Sequence, residues 1–460
     1  MAKTADPIPV DDTLREHNSR PVAVPHTRLF GGAWGVTAVL LLRLVVGGVF
    51  AFSGFVKAID PWGSVLKFGE YMTALGLQGM EWSLLFLAVA VATVEMMLGT
   101  FMLLGIYRRF TPVMMLLAMV TLLPLTGYMA VTDAVTGCGC FGDAVPMSNW
   151  GTFAKNLALT PGILYLCAYN RWVKNVYGFA VQWIVATLTI AYGLVIAFIG
   201  YYIQPLIDFR PYPEGAELVS RYEPQEEPEF DFIYEKNGER AAFTIDSVPD
   251  DTWTFVDRRE RRGVKINDAA DAVTITTMDG QPADSVLLRH GEQILLLFPD
   301  LKDVSIAYTY LINELHDYAR ARGIDVVGLT SGTAAEVAEW NDLSMSSYPL
   351  YSIDSSTLQM IARGNPAVVY LRDGRVAWKR TLQSVSMDYI TRERDLEGIG
   401  SDFDSSRWLK VLTVGYLVLM AVLLVLNRTH LLVLFSWKRI FKSKKPSEEV
   451  QKREEDEKVQ

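Results

Sequence analysis

Cys138, Gly139 and Cys140 stand one after another in the segment Thr136-Gly-Cys-Gly-Cys-Phe-Gly-Asp143, and the chain has only three cysteines. A Cys-x-Cys pair closes a very small disulfide ring, which departs from relaxed disulfide geometry and should reduce easily. The chemistry such a pair offers is thiol–disulfide exchange. The bland alternatives are a fixed loop disulfide or two idle thiols. Gly137, Gly139 and Gly142 would supply the backbone freedom that so tight a ring requires. Asp143 is placed to relay a proton to a leaving thiol, or simply to cap the turn. Two cysteines with no nearby histidine make a poor zinc site, so no metal is expected.

The elements on either side of this turn are membrane-like. Residues 34–56, 82–104, 110–131, 152–170, 178–203 and 408–426 are apolar runs. Each has the roughly 19–26 residues needed to cross the hydrocarbon of a bilayer. Six spans are predicted, the first four forming an antiparallel bundle. Arg108, Arg109, Arg171 and Lys174 follow the second and fourth runs, and basic residues without an acidic one follow the sixth. The positive-inside rule then places both termini in the cytoplasm, and the cysteine turn and residues 205–406 outside. In a bacterial inner membrane the outside is the periplasm, where disulfides turn over.

Within the spans, Arg43 and Glu95 both fall about 13.5 Å from the cytoplasmic helix ends by helical rise. Unpaired charge in hydrocarbon is costly, so the two are expected to pair. Lys57 and Asp60 close the first span as interfacial anchors or as neighbours favouring a thiolate. Trp150, Lys155 and Asn156 open the fourth run and offer donors for a quinone carbonyl, although snorkelling accounts for Lys155 as simply. Cys167 lies far down the same helix and reads as a packing residue.

The net charge of −9 is concentrated in residues 205–406, which excludes nucleic acid and anionic lipid as partners of that region. Residues 205–229 are rich in proline and glutamate and should form a stiff stalk. Strand candidates about Lys236-Asn-Gly238 and at 253–257 and 272–277 follow. From residue 292 strands and helices alternate. Residues 1–33 and the tail from 428 are polar, the latter basic, then charged, and suited to lie against lipid head groups.

Two resemblances add to this. Arg43-Leu-Val-Val-Gly-Gly-Val-Phe-Ala-Phe-Ser-Gly-Phe-Val-Lys57, Asp60-Pro61, Glu95 with Gly99, and the cysteine motif followed by Ser148-Asn-Trp-Gly-Thr-Phe-Ala-Lys-Asn156 resemble the DoxX/MauE group of small membrane bundles. That resemblance covers about residues 34–175, with 176–204 as a fifth helix. It implies an envelope redox or maturation role, through thiol handling or electron exchange with quinone. Residues 285–406, and chiefly 285–390, resemble a thioredoxin-like domain. Asn365-Pro366 stands where that fold carries its cis-proline, and Ala367-Val-Val-Tyr-Leu-Arg-Asp-Gly-Arg-Val-Ala-Trp378 matches its last two strands. Where thioredoxins carry Cys-x-x-Cys this chain reads Phe298-Pro-Asp-Leu-Lys-Asp-Val-Ser305. The domain therefore cannot exchange dithiols. A partner-binding edge at Phe298, Pro299, Asp300, Asn365 and Pro366 is expected instead. The combined expectation is a multi-domain membrane protein, a helical bundle plus a periplasmic α/β domain. It would act in thiol–disulfide or quinone-linked maturation of an envelope partner. The alternative is a non-enzymatic scaffold or subunit of an envelope complex.

Overall fold

The structure is a computed structural model and describes residues 33–77, 83–135, 139–219, 230–236, 239–243, 252–260, 273–385, 396, 398 and 403–429. The polar leader, most of the C-terminal tail, and Cys138 lie outside the described residues. The helices are α1 (Ala33–Ile59), α2 (Pro61–Ala74), α3 (Leu84–Leu104), α4 (Phe110–Thr132), α5 (Asn149–Tyr169) and α6 (Phe179–Tyr202), with α10 (Ser405–Thr429) returning at the end.

Five of these are long and apolar enough to cross a bilayer: α1, α3, α4, α6 and α10. This is a multi-pass membrane protein. The expected span at 152–170 is the exception. α5 has 21 residues, yet Asn149, Thr152, Lys155, Asn156 and Thr160 occupy its first three turns and lower its hydropathy. It still runs the length of α4. Asn149 donates to Asp133 and to the Val135 carbonyl at one end, and Asn170 donates to the Arg108 carbonyl at the other.

α1 and α3 cross with their backbones almost touching. A Cβ on Gly54 would stand 2.2 Å from the Met96 nitrogen, and one on Gly99 would stand 2.1 Å from the Ala51 nitrogen. Only glycine permits that approach, as at other close helix crossings in membranes. The contact fixes an antiparallel register in which residue 54 faces 96 and residue 51 faces 99.

The helices α7 (Tyr308–Ala321), α8 (Ala334–Ser344) and α9 (Ser355–Ile361) pack on a six-stranded mixed sheet of order β4-β7-β6-β5-β8-β9. Its strands are β4 (Ile275–Thr276), β5 (Glu292–Phe298), β6 (Asp325–Thr330), β7 (Leu350–Ile353), β8 (Ala367–Arg372) and β9 (Arg375–Thr381). β5, β6 and β7 run parallel, and β8 and β9 are antiparallel. β5 is buried on both faces, which is why it reads as an unbroken apolar run. Ile294, Leu296 and Phe298 enter the core with α7 and α8, and Leu295 and Leu297 enter the core with α9. A separate three-stranded sheet, order β2-β1-β3, is formed by β1 (Phe230–Lys236), β2 (Glu239–Phe243) and β3 (Thr254–Glu260).

Residues 203–219 do not stand free as a stalk. They lie along the outer edge of β9, with Thr381 N donating to the Ile203 carbonyl and Gly215 N to the Val376 carbonyl. The remainder of the expected stalk, 220–229, lies outside the described residues.

Candidate functional site

The sheet domain rests on the end of the bundle that holds the cysteine turn. Arg363, at the end of α9, makes the junction. Its guanidinium donates to Asp60 Oδ2 through Nε at 3.1 Å and Nη2 at 2.9 Å, and to Asp143 Oδ2 at 2.8 Å. Asp60 is itself the N-cap of α2, accepting from Gly63 N, so a helix cap and a domain clamp share one carboxylate. The side chain of Arg363 is only 8% exposed. Burial disfavours its charge, but Asp60 and Asp143 more than offset that, and its pKa is raised above the ordinary arginine value.

The linker is tied into the same corner. Gln204 donates to the Arg363 carbonyl at 2.6 Å and accepts from its backbone nitrogen at 3.2 Å. Asp208 receives Arg210 Nε at 2.7 Å and also binds the buried ammonium of Lys379. Lys379 donates further to the Tyr212 and Ile361 carbonyls. Burial, with Arg210 beside it, lowers the Lys379 pKa to about 8. Burial pushes Asp208 upward, but Arg210 and Lys379 outweigh it and hold its carboxyl below the usual range.

Bundle, linker and sheet domain together enclose a cavity of about 480 Å³. Its wall includes Lys57, Cys140 and Asp143 from the bundle, Arg210 from the linker, and Met360 and Arg363 from the sheet domain. Beneath it lies a buried polar cluster. Lys57 Nζ is 2.6 Å from Glu95 Oε2, and Ser53 Oγ is 2.7 Å from both Glu95 Oε2 and the Cys140 carbonyl.

The expected Arg43–Glu95 pair is therefore not formed. Equal depth from the cytoplasmic ends ignored the α1–α3 register that the glycine contacts impose. That register sets Arg43 against Gly105, beyond the end of α3, and Lys57 against Glu95. Arg43 instead donates to Asn170 Oδ1 at 2.6 Å and to the Asn170 and Val173 carbonyls. Lys57 was placed in the sequence only as an anchor or a thiolate neighbour, and no local signal marks it as the partner of Glu95.

The expected thiol–disulfide centre is overturned. Among the described residues no two cysteines are in disulfide contact: Cys140 sits in the turn, Cys167 packs near the far end of α5, and Cys138 lies outside the described residues. The glycines there serve the backbone. Gly139 and Gly142 adopt φ of 58° and 52°, which a tight turn requires of glycine. Asp143 accepts from Arg363.

The quinone site does not assemble either. The Lys155 ammonium lies 4.2 Å from the centre of the Phe141 ring, and Asn156 donates to Thr126 at 3.4 Å. Trp150 is 60% exposed and does not line the cavity that those two residues share. The cavity that Lys155 and Asn156 do line measures about 20 Å³, too small for a quinone ring.

At the expected partner edge, Phe298 is wholly buried between Trp340 and Tyr348 and cannot touch a partner. Asn365 and Asp300 close on each other: Asn365 Nδ2 donates to the Asp300 carbonyl at 2.7 Å. The Pro299 carbonyl accepts from Ser331, and Pro366 is buried after a cis bond.

Residues 36–169 match the family described as methylamine utilisation protein MauE. This part of the chain is MauE-like. The match covers less than half of the chain and ends where α5 ends. Residues 228–262 match a domain of unknown function, DUF8463, and contain the three-stranded sheet. A search of curated proteins returned no match to the chain.

Proposed function

We propose that the protein has a redox-associated role in the membrane, exercised in the chamber between the MauE-like bundle and the sheet domain. The family match supports the redox association. The observation that carries the site is the Arg363 clamp, which makes residues from both parts one continuous wall around a cavity of about 480 Å³. The charges on that wall are matched in ion pairs, as Lys67 is with Glu70, so the chamber favours a guest without net charge.

In this reading the sheet domain is thioredoxin-like and serves as a fixed cap. A central β5 flanked by parallel β6 and antiparallel β8, with helices on both faces, supports that assignment. α5 crosses with the five more apolar helices, both termini are cytoplasmic, and the cap lies in the periplasm. The Lys/Arg bias of the connecting loops supports that placement. An envelope protein or a membrane-soluble carrier would meet the chain at the chamber mouth.

The test is genetic and chemical. Cells lacking the protein are compared with cells carrying the wild type or Arg363→Ala, with membrane levels checked by immunoblot. The readouts are the oxidation states of envelope thiols and membrane quinones. A shift in either on deletion, repeated by Arg363→Ala at normal protein level, is the expected result. No shift on deletion would remove the redox role. A deletion effect fully restored by Arg363→Ala would move the site away from the chamber.

A further inference from the structure

The Lys57–Glu95 pair takes no part in holding the sheet domain, and its position gives it another use. Lys57 lines the chamber, whereas Glu95 and Ser53 line the inner cavity of about 20 Å³. That volume holds one water molecule. Lys155 and Asn156 give the inner cavity the polar partners such a water needs. The ion pair is thus the partition between outer and inner spaces, with the Cys140 residue bordering both.

Toward the opposite end of the bundle the polar path stops. Val46, Met115, Met119, Leu159 and Ile163 belong to one continuous apolar cluster across α1, α4 and α5. The buried residues of that cluster carry no titratable side chain between the inner cavity and the Arg43–Asn170 contact. A route closed by hydrocarbon on one side and by an ion pair on the other is a side pocket, not a channel.

We propose that Lys57 and Glu95 form a proton-exchange site that communicates with the chamber side only. The step balances simply. Lys57 passes a proton along its 2.6 Å hydrogen bond to Glu95, leaving a neutral amine and a carboxylic acid. The amine then takes a proton from hydronium in the chamber, so the pair has gained one proton overall. The reverse sequence returns that proton to the chamber. Ser53, with one hydroxyl proton and two acceptors at 2.7 Å, turns from Glu95 to the Cys140 carbonyl when the carboxyl becomes neutral.

The charged groups around the pair are accounted for. α5 contributes Lys155, which sits against Phe141. The α2 end contributes Asp60, Lys67 and Glu70, the turn Asp143, the linker Asp208 and Arg210, and the sheet domain Arg363; Lys67 pairs with Glu70, Arg210 with Asp208, and Arg363 with both Asp60 and Asp143. α4 and α6 contain no charged residue. The use of the proton rests on the redox reading of the chamber; its exchange does not.

Infrared difference spectroscopy on the full chain, reconstituted in vesicles of one orientation, tests this without any redox assay. Acidifying the chamber side should produce a carboxylic-acid C=O band that carbon-13 labelling of glutamate shifts. Acidifying the opposite side should produce none. Glu95→Gln should abolish the band. Absence of the band in the wild type, its persistence in Glu95→Gln, or its response to the opposite side would each overturn the proposal. If Glu95→Gln does not accumulate, the wild-type isotope shift and the sidedness still decide.

Discussion

Arg363 and Asp143 stand 220 positions apart in the chain, yet a guanidinium–carboxylate contact of 2.8 Å joins them across the junction of bundle and sheet domain. Removing the guanidinium leaves Asp60 and Asp143 facing each other without a cation. Asp143 is 47% exposed and Asp60 is 19% exposed, so water recovers part of the loss. Arg363→Ala should therefore cost about 1–3 kcal/mol, less than breaking a fully buried pair. The chain should stay folded while the junction loosens. Limited proteolysis in detergent should show faster cutting between bundle and sheet domain. An unchanged cleavage pattern would mean that the clamp does not hold the domain.

Lys379 provides a pH signature. Its pKa is about 8 in the folded chain against 10.5 when exposed. Between these values the unfolded chain holds more protons on this residue than the folded one. Stability from this group therefore rises with pH across that window and is flat on either side. Thermal unfolding of wild type and Lys379→Met, followed from pH 7 to pH 11, isolates the effect (about those limits, set by the lysine range). The wild-type advantage should grow across the window. A difference that falls with rising pH would show that the Asp208 contact, not burial, governs this lysine.

Much of this architecture is legible in the residues themselves. Period and length announce α1, α3, α4, α6 and α10, and the run from Ile294 to Phe298 announces a strand buried on both faces. α2 and β7 are not announced. α2 carries Gly63 and Gly69 among mixed polar and apolar residues, and β7 is a four-residue strand at the end of a serine-rich turn. The site was harder still. Asp143 drew attention because of its cysteine neighbours, but its partner Arg363 sits in Ile361-Ala-Arg-Gly364, which has no motif. Contacts between residues this far apart in sequence depend on how the two parts of the chain dock, and docking leaves no local pattern. The Lys57–Glu95 pairing was hidden for a related reason. It follows from a helix register set by Gly54 and Gly99, not from depth counted along each helix.

At the other end of the bundle Arg43 acts as a geometric strut. Its Nε and Nη2 reach Asn170 Oδ1, the Asn170 carbonyl and the Val173 carbonyl together, closing the turn after α5. A lysine keeps the charge but lacks the planar fork that serves several acceptors at once. Arg43→Lys should therefore destabilise the bundle by about 1.5–3 kcal/mol, the range for hydrogen bonds to a charged group. Asn170→Ala should do the same and, in combination with Arg43→Lys, add little. Thermal unfolding in detergent reads both effects. Full additivity of the two substitutions would show that they do not act through one contact.

The crossing of α1 and α3 makes the sharpest structural prediction, because it places the only buried ion pair described within the spans. A side chain at Gly99 would run into the Ala51 nitrogen at 2.1 Å and the Gly47 carbonyl at 2.7 Å, both backbone atoms that cannot rotate away. At Gly48, one residue from Gly47 on α1, nothing stands within 4 Å of an added Cβ. Gly99→Leu should force the helices apart, separate Lys57 from Glu95 and cost more than the roughly 1–3 kcal/mol typical of overpacking. Gly48→Ala should be neutral or slightly stabilising, since alanine favours helix over glycine by about 1 kcal/mol. The two variants can be compared by membrane yield, thermal unfolding and the carboxyl infrared band. Equal behaviour of both would show that the close approach of α1 and α3 does not position the pair.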